Sequence, residues 1–388
     1  MIPYGRQDIS EADIDAVVDV LRSDFLTQGP VIPKFENAIA SRVGASHALA
    51  MNSATSALHA AVAALGVGPG DVVWTSPITF VASANCARYC GADVEFVDID
   101  TETFNMCVEG LEKKLAKAKA QKCLPKVVIP VHMAGQSPDM EPIHALCSRE
   151  GISVVEDASH SIGAQYDGKP VGTCAYSDIT VFSFHPVKII TTAEGGVATT
   201  NAPELAARMD LFRSHGITRQ AELMDAPSHG PWYYQQVSLG WNYRMTDVQA
   251  ALGLSQLDRL DTFVEVRNRL AARYDALLAD LPVIVPGRLP EAYSSFHLYI
   301  VRLPQANAAR HRHVFEAMRA GGIGVNLHYI PVHLQPYYAA QGFSVGDFPN
   351  AEEYYQRAIS IPLHPNLTEA EQDKVVLTLK QALAQAAP

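Results

Sequence analysis

The sequence predicts an α/β protein with a large domain built on a mainly parallel, seven-stranded sheet and a smaller C-terminal α+β domain. Short apolar runs alternate with helical patterns between residues 47 and 213, as in sheets whose parallel strands are joined by helices. The 388 residues are 48% hydrophobic, which is sufficient for a large buried core. Beyond residue 250 strands become sparse among helices, and this change predicts domains of 1–250 and 251–388.

Two helices are expected before the first strand. Ser10 and Asp13 form the pattern of a capping box, and apolar residues at helical spacing extend the first helix to about Asp24. A glycine and a proline then indicate a loop, after which a second helix over 33–43 is predicted to turn Phe35 inward.

The alternating part supplies the strands of the main sheet. They are predicted near 47–51, 72–76, 94–98, 127–132, 152–157, 179–184 and 196–200. Helices are predicted near 55–65, 80–90, 108–119, 139–150 and 202–213. Because helices separate many of these strands, most neighbours in the sheet are expected to run parallel.

The segment 214–244 is rich in aromatic residues, glycine and proline, and a loop of this length is usually functional, so it is expected to cross an interface. A helical pattern then runs from Thr246 to about Leu281. The remaining elements are predicted as strands near 296–303 and 323–329 and helices near 307–320, 350–358 and 369–385.

Charge and cysteine content limit the classes of function. A net charge of −11 argues against nucleic acid or an anionic membrane as the main partner. The six cysteines show no metal-ligand spacing, so reduced thiols and no metal site are expected. No signal peptide and no apolar run of about 20 residues is evident, so a cytoplasmic location is expected.

The strand near 179–184 leads into Lys188 and the pair Gly195-Gly196. A residue just past a strand end lies where open α/β sheets bind ligands. Apolar neighbours would bury Lys188, lower its pKa and make it a nucleophilic amine suited to a Schiff base with an aldehyde cofactor. Ser183 could then bind a cofactor phosphate, while the glycines allow close backbone approach. The alternative is an ordinary solvated lysine.

Two further segments support a cofactor site. The strand near 152–157 ends in Glu156-Asp157, and a carboxylate such as Asp157 beside a pyridine nitrogen would keep that ring protonated. The small residues of 52–57 stand where a strand turns into a helix, so their free N–H groups could hold a phosphate. The alternatives are helix capping by Asp157, and by Ser53 or Thr55.

Taken together, these motifs resemble those of the DegT-type sugar aminotransferases, a branch of the fold-type I enzymes that use pyridoxal 5′-phosphate (PLP). The resemblance covers nearly the whole chain. It rests on Leu26-Thr-Gln-Gly-Pro, Asn52-Ser-Ala-Thr-Ser-Ala-Leu, Glu156-Asp-Ala-Ser-His, Ser183-Phe-His-Pro-Val-Lys, Thr192-Ala-Glu-Gly-Gly, Asn242-Tyr-Arg-Met-Thr-Asp-Val-Gln-Ala-Ala-Leu-Gly and Val325-Asn-Leu-His-Tyr-Ile-Pro-Val-His. Within the family, the lysine loop and Phe212-Arg-Ser-His-Gly are similar to those of the transaminases of pseudaminic acid biosynthesis.

The resemblance implies a role for each matched residue. Lys188, Asp157 and His160 are the implied catalytic residues. The implied cofactor-binding residues are these three with Ser53, Ala54, Thr55, Phe80, Ser183 and, from the other subunit, Asn242. The implied substrate-binding residues are Tyr4, Asp24, Phe25, Leu26, Thr27, His185, Asn242, Asn326, Leu327, His328 and Tyr329. For Phe80, His160, His328 and Tyr329 the alternative is core packing, and for Asn242 it is a turn.

The implied reaction moves an amino group from L-glutamate to the 4-keto carbon of a UDP-linked deoxysugar, in a homodimer with shared active sites. Other readings remain open: an aminotransferase for a different nucleotide-linked keto sugar, a PLP-dependent sugar dehydratase, or a non-catalytic PLP-binding regulator. Lys188 argues against the dehydratase, since those relatives carry histidine there. Arg213, Arg219 and Arg244 are candidates for holding the carboxylate of the amino donor.

Overall fold

The computed structural model of the chain describes residues 1–304 and 307–385. Its strands are β1 (His47–Met51), β2 (Val72–Thr75), β3 (Asp93–Phe96), β4 (Val127–Ile129), β5 (Ser153–Asp157), β6 (Gln165–Tyr166), β7 (Lys169–Pro170), β8 (Ile179–Ser183), β9 (Gly196–Thr200), β10 (Ile217–Thr218), β11 (Gln235–Gln236), β12 (Ala292–Tyr293), β13 (Tyr299–Arg302) and β14 (Ala358–Ile361). Its α-helices are α1 (Glu11–Leu21), α2 (Val31–Val43), α3 (Ala54–Ala64), α4 (Ala82–Tyr89), α5 (Val108–Gln121), α6 (Met140–Arg149), α7 (Pro203–Arg213), α8 (Asp247–Leu257), α9 (Leu260–Leu278), α10 (Ala308–Ala320), α11 (Pro336–Ala339), α12 (Pro349–Tyr355) and α13 (Glu369–Gln385). Short 3-10 segments cover Met133–Gly135, Ala221–Leu223 and Val332–Leu334.

The central sheet has seven strands in the order β1-β9-β8-β5-β4-β2-β3, which confirms the predicted strand number. The neighbours from β8 to β3 all pair in parallel. Only β9 runs the other way, antiparallel to both β1 and β8. The carboxyl ends of β1, β8, β5, β4 and β2 therefore lie along one edge of the sheet, where α/β proteins bind ligands.

The sheet is covered by helices on both faces because successive strand residues point to opposite sides. On β2, for example, Val73 belongs to the apolar cluster formed with α3, α4 and α7. The next residue, Trp74, belongs to the cluster formed with α5 and α6 on the opposite face. Near β1 and β9 the second face is covered by α2, whose Phe35 is fully buried as predicted.

The helix ends follow local sequence signals. Ser10 and Asp13 form the predicted capping box of α1, with the Ser10 N–H donating to the Asp13 carboxylate at 2.8 Å. The single helix predicted from 246 to 281 is wrong, since α8 ends at Leu257 and α9 begins at Leu260. Arg259 in the break has a non-helical backbone, and its guanidinium pairs with Asp8 at 2.7 Å and with Asp13 at 2.6 Å.

The C-terminal part contains a two-stranded antiparallel sheet of β13 and β14. The predicted strand near 323–329 does not form. Its backbone makes two isolated bridges instead, one between Ile323 and Ile2 and one between Asn326 and Ser360. Helix α9 begins in the core of the large sheet and ends in the C-terminal core, so the change of core occurs along this helix. The domain ranges 1–250 and 251–388 stay a prediction. No helix in the described part of the chain has the length and apolar character needed to cross a bilayer.

Candidate active site

A cavity of about 860 Å³ opens at the carboxyl edge of the central sheet. Its walls come from the segments that follow β1, β2, β5 and β8, with further residues from the N-terminus and from the segment near 326–329. The structure brings the following predicted site residues to this cavity: Tyr4, Ser53, Ala54, Thr55, Phe80, Asp157, His160, Ser183, His185, Lys188, Asn326, Leu327, His328 and Tyr329. Residues as far apart in the chain as Tyr4 and Tyr329 thus meet in one site.

Lys188 lies in the turn that follows β8, and its amine is in the cavity. Burial lowers the pKa of Lys188 to about 8, although the charge of Asp157 acts in the opposite direction. Within residues 1–304 and 307–385 no group accepts a hydrogen bond from its Nζ. An unpaired amine with a lowered pKa is a nucleophile near neutral pH, as the sequence predicted.

The two carboxylates at the end of β5 have different surroundings because strand alternation turns them to opposite faces. Glu156 points away from the cavity, where Ser177 donates to it at 2.6 Å and His132 contacts it at 2.9 Å. Burial raises the pKa of Glu156, but the contact with His132 and the hydroxyl donors outweigh this effect and lower the pKa. Asp157 faces the cavity, so it is the carboxylate that can contact a ligand.

The N-terminus of α3 lines the same cavity as Lys188 and is a candidate anion cradle. Ser53 caps the helix by accepting a hydrogen bond from the N–H of Ser56 at 3.1 Å, as the capping alternative predicted. The N–H groups of Ala54 and Thr55 in the first turn still have no partner within the helix, so capping and anion binding are compatible. Ser183 Oγ, which also lines the cavity, has no hydrogen-bond partner in the part of the chain that the structure describes.

Gly196 packs directly against the backbone at the start of α3. A Cβ at this position would lie 2.5 Å from the Ala54 N and 2.7 Å from the Ser53 carbonyl carbon, which are both backbone atoms. Since backbone cannot rotate away as a side chain can, a larger residue must displace the start of α3.

Gly196→Ala is therefore expected to weaken binding of a phosphate-bearing ligand by about tenfold or more, at a cost of about 1–3 kcal/mol in stability. The measurements are ligand titration and thermal unfolding. The matched control is Gly68→Ala, because a Cβ at Gly68 meets no atom within 4 Å. Equal phosphate affinity in both variants would contradict the assignment of the cradle.

Aromatic and imidazole rings also line the cavity. His160 Nε2 lies 3.1 Å from the Tyr329 hydroxyl, and its ring centroid lies 4.4 Å from that of His297. Burial lowers the pKa of His160 well below its usual range, and the charge of Lys188 acts in the same direction. Phe80 is 58% exposed, which is unusual for a phenylalanine and leaves its ring free to contact a ligand.

Tyr4 and the segment 326–329 form another part of the cavity wall. His328 is held by Ser360 Oγ at 2.8 Å from Nδ1, and its ring lies 5.3 Å from that of Tyr4. Burial lowers the pKa of His328 to about 3, so its imidazole is neutral at physiological pH. The side chain of His328 thus presents a neutral polar group rather than a cation.

The structure does not bring two predicted groups to this cavity within one chain. The segment containing Asp24, Phe25, Leu26 and Thr27 lies beside the start of α8, where Thr27 pairs with Thr246. Asn242 is exposed, and its carbonyl accepts a hydrogen bond from Asn52 Nδ2 at 3.4 Å. Among the arginine candidates, Arg213 is already paired with Glu36 and Asp210, so it is not available for a substrate carboxylate.

Sequence reasoning missed several cavity residues. Those without a predicted role are Leu58, Thr79, Ala82, Val131, Ser159, Val187, Glu194 and His297, whereas Asn52 and Ser56 belong to the segment 52–57 that was predicted to hold a phosphate. Many of them adjoin a predicted site residue in the sequence, so their position beside a recognised motif could have indicated them. His297 had no such signal, because it reaches the cavity from the turn before β13. Over the described residues, no cluster of three or more His, Cys, Asp or Glu side chains is arranged to hold a metal ion.

Comparison with known proteins adds independent information. The profile of the DegT/DnrJ/EryC1/StrS aminotransferase family matches residues 7–380. The spore coat polysaccharide biosynthesis protein SpsC of Bacillus subtilis is 38% identical over 379 residues, which cover 97% of this chain and 95% of SpsC. A UDP-4-amino-4,6-dideoxy-N-acetyl-beta-L-altrosamine transaminase of Campylobacter jejuni is 37% identical over 376 residues, which cover 96% of this chain and 95% of that enzyme.

A solved structure agrees with these relatives. Spr1654 of Streptococcus pneumoniae in its PMP-form superimposes with a TM-score of 0.92 and 32% sequence identity, covering 100% of both chains. The PLP-form of the same protein gives a TM-score of 0.91.

Proposed function

Since the chain belongs to the DegT/DnrJ/EryC1/StrS aminotransferase family, we propose that it transfers an amino group from L-glutamate to the 4-keto carbon of a UDP-linked 2-acetamido-2,6-dideoxy-4-hexulose. The product would be UDP-4-amino-4,6-dideoxy-N-acetyl-β-L-altrosamine, a precursor in pseudaminic acid biosynthesis. The chain is a PLP-dependent nucleotide-sugar aminotransferase. The observation that carries the finer assignment is the 37% identity to the Campylobacter jejuni transaminase over nearly the full length of both chains.

A second candidate is an aminotransferase for a different nucleotide-linked keto sugar. It is favoured by SpsC, which is 38% identical to this chain and is named for spore coat polysaccharide biosynthesis. Both candidates need the same cofactor site and differ only in the part of the cavity that receives the sugar.

The cavity residues fit PLP. The amine of Lys188 has no hydrogen-bond partner among the described residues and lies in the turn after β8, where it can bond to an aldehyde. Ser183 and the first turn of α3 offer donors for the phosphate. Asp157 supplies an anionic acceptor for the ring nitrogen, while Phe80 and His160 border the same cavity with ring faces and edges.

When bound, PLP supplies an electron sink that stabilises a carbanion at the substrate carbon. The residues of the chain do the rest. Asp157 would accept a hydrogen bond from the ring nitrogen of the bound cofactor and favour its protonated form. Lys188 Nζ would serve as the general acid–base that moves a proton between two carbons, a role suited to an amine with a lowered pKa. Because His160 and His328 are neutral, they add no cation that would compete with Lys188 for negative charge.

The pKa of Lys188 predicts how cofactor capture depends on pH. Only the unprotonated amine is a nucleophile, so the rate at which apoenzyme captures PLP should rise about tenfold per pH unit below the pKa of about 8 and level off above it. An ordinary lysine would continue to rise to a pKa of about 10.4. Stopped-flow absorbance near 420 nm from pH 6 to pH 10 measures the rate. A rise that continues beyond pH 9 would contradict the lowered pKa.

The functional unit in this proposal is a homodimer with shared active sites. A nucleoside diphosphate carries negative charges, yet Lys188 supplies the one Lys or Arg side chain among the cavity residues of the described chain. Lys188 is needed for the cofactor, so a second subunit is the natural source of further donors. The exposed segment of Phe25 and Leu26, together with exposed Trp232 and Leu239, provides apolar surface that a second copy can cover.

In this dimer, Asn242 of one subunit would contact the cofactor phosphate bound in the other subunit. Lys188→Ala and Asn242→Ala subunits should each be nearly inactive alone. In a heterodimer of the two, one site carries both lesions and the other carries neither, so about half the wild-type activity per dimer should return. Affinity tags of two kinds allow the heterodimer to be purified and assayed.

Two outcomes would contradict the shared site. One is a verified heterodimer without recovered activity, and the other is a fully active monomer at assay concentration. If Asn242 only supports its own subunit, its variant should lose stability and keep its activity per folded molecule. Unfolding measurements on the Asn242→Ala homodimer separate the two cases.

A panel of UDP-linked keto sugars tests the proposed reaction. The enzyme is incubated with L-glutamate and each sugar, and amination is followed by mass spectrometry. The proposal expects the 2-acetamido-2,6-dideoxy-4-keto sugar of the altrosamine series to be aminated with the highest kcat/KM. Preference for another sugar would favour the second candidate. Absence of any shift from about 420 nm to about 330 nm on adding L-glutamate would favour a non-catalytic regulator.

A further inference from the structure

The carboxylate of Asp157 receives its hydrogen bonds from serines that have no assigned role. Ser83 Oγ on α4 donates to Oδ2 at 2.5 Å. Ser159 donates to Oδ1 through its hydroxyl at 2.5 Å and through its N–H at 3.2 Å. An ionised carboxylate has about four acceptor positions. The described residues therefore fill three of them and leave the remaining one for a donor in the cavity.

A second hydroxyl continues this chain of hydrogen bonds away from Asp157. Thr79 Oγ1 lies 2.6 Å from Ser83 Oγ, and both side chains are buried. A carboxylate can only accept, so the hydroxyl hydrogen of Ser83 must point at Asp157. Ser83 has one hydroxyl hydrogen, and its contact with the Phe80 carbonyl is longer, at 3.3 Å. Thr79 is consequently the donor to Ser83.

We propose that Thr79 and Ser83 form a hydrogen-bond relay that holds the Asp157 carboxylate in place, with its free acceptor position directed at the ring nitrogen of the cofactor. The proposal rests on the assignment of Asp157 made above. Thr79 and Ser83 are positioning residues, since they act through Asp157. Hydrogen bonds to a carboxylate favour its charged form, and successive bonds polarise each other. The proton shared between Asp157 and the ring nitrogen then stays on the nitrogen.

Other charges around Asp157 are the same with or without the relay. Lys188 faces it from the turn after β8, Tyr329 from the segment before the 3-10 turn at Val332–Leu334, and Cys86 from α4. None of these side chains donates a hydrogen bond to the carboxylate in the described ranges 1–304 and 307–385. A change confined to Thr79 or Ser83 therefore tests the relay itself.

The test uses the PLP-loaded enzyme and three variants. Ser83→Ala removes the donor to Asp157, and Thr79→Val removes the donor to Ser83 with little change of volume. Thr75→Val is the matched control, because Thr75 is a buried threonine whose hydroxyl donates to the Ile129 carbonyl at 2.8 Å and does not line the cavity. The readout is the pH midpoint of the cofactor absorbance near 420 nm.

Loss of the relay lets the ring nitrogen lose its proton, and a neutral ring makes the imine nitrogen more basic. The midpoint should thus rise by about half a pH unit or more in Ser83→Ala, by less in Thr79→Val and not at all in Thr75→Val. The kcat should fall severalfold in the first two while KM stays unchanged. Thermal unfolding shows whether each variant is folded, and Thr79→Val keeps the test available if Ser83→Ala does not fold.

Asp157→Asn separates failure of the relay from failure of the proposed function. If Asp157→Asn moves the midpoint while Ser83→Ala and Thr79→Val do not, the relay is wrong and the role of Asp157 stands. If Asp157→Asn also leaves the midpoint in place, Asp157 does not contact the ring nitrogen, and the relay is overturned with it.

Discussion

Replacing Lys188 by alanine is expected to abolish covalent capture of PLP and to reduce amino transfer by about 10³-fold or more. The amine of Lys188 lines the cavity, and both the nucleophilic role and the proton-transfer role that we propose for it depend on that group. Borohydride reduction of the wild-type holoenzyme followed by peptide mapping should place the phosphopyridoxyl label on Lys188. Absorbance near 420 nm should be missing from the variant.

Lys114→Ala is a suitable control for this experiment. Burial lowers the pKa of Lys114 as well. However, Lys114 lies on α5, its amine pairs with Glu95 at 2.7 Å, and it is not among the residues that line the cavity. The control should keep the label and the activity. A label on any lysine other than Lys188 would refute the catalytic assignment, whatever the activity of the variants.

The second large effect is expected for Asp157→Asn, which should keep the fold and lower kcat by about 10²- to 10³-fold. Asparagine retains the shape and can still accept a hydrogen bond, but it lacks the negative charge that holds a proton on the ring nitrogen. Single-turnover measurements of the absorbance change with L-glutamate isolate the chemical step from product release.

The neighbouring carboxylate gives the matched control. Glu156 is buried like Asp157, but it faces His132 and Ser177 rather than the cavity. Glu156→Gln should therefore lower thermal stability and leave kcat per folded molecule unchanged, because it breaks a buried contact without touching the site. If the two variants lost activity equally, Asp157 would have only a structural role.

Local sequence signals were sufficient where the physics is local. The capping box of Ser10 and Asp13, the cap at Ser53 and the strand ending in Glu156-Asp157 were all visible, because each depends on residues within four positions of one another. Prediction failed where backbone pairing is distant. The segment near 323–329 looks like a strand, but its partners are Ile2 and Ser360.

The site followed the same division. Lys188, Asp157 and Ser183 could be proposed from the sequence because strand ends of an α/β sheet converge at one edge. Ser83 could not, because its role comes from a 2.5 Å contact with a residue 74 positions away. Nor could His297, which meets His160 only after the C-terminal part has folded against the sheet.

The sequence by itself determined the α/β class, the seven strands, the family resemblance and the choice of Lys188 and Asp157 as candidate catalytic residues, since these depend on residue type and short spacing. Only the tertiary structure decided which carboxylate of the pair faces the cavity and how far the pKa of Lys188 falls. It also decided that Ser83 donates a hydrogen bond to Asp157 and that Thr79 donates one to Ser83. Burial and hydrogen-bond direction arise from atoms that are distant in sequence, so no local pattern specifies them.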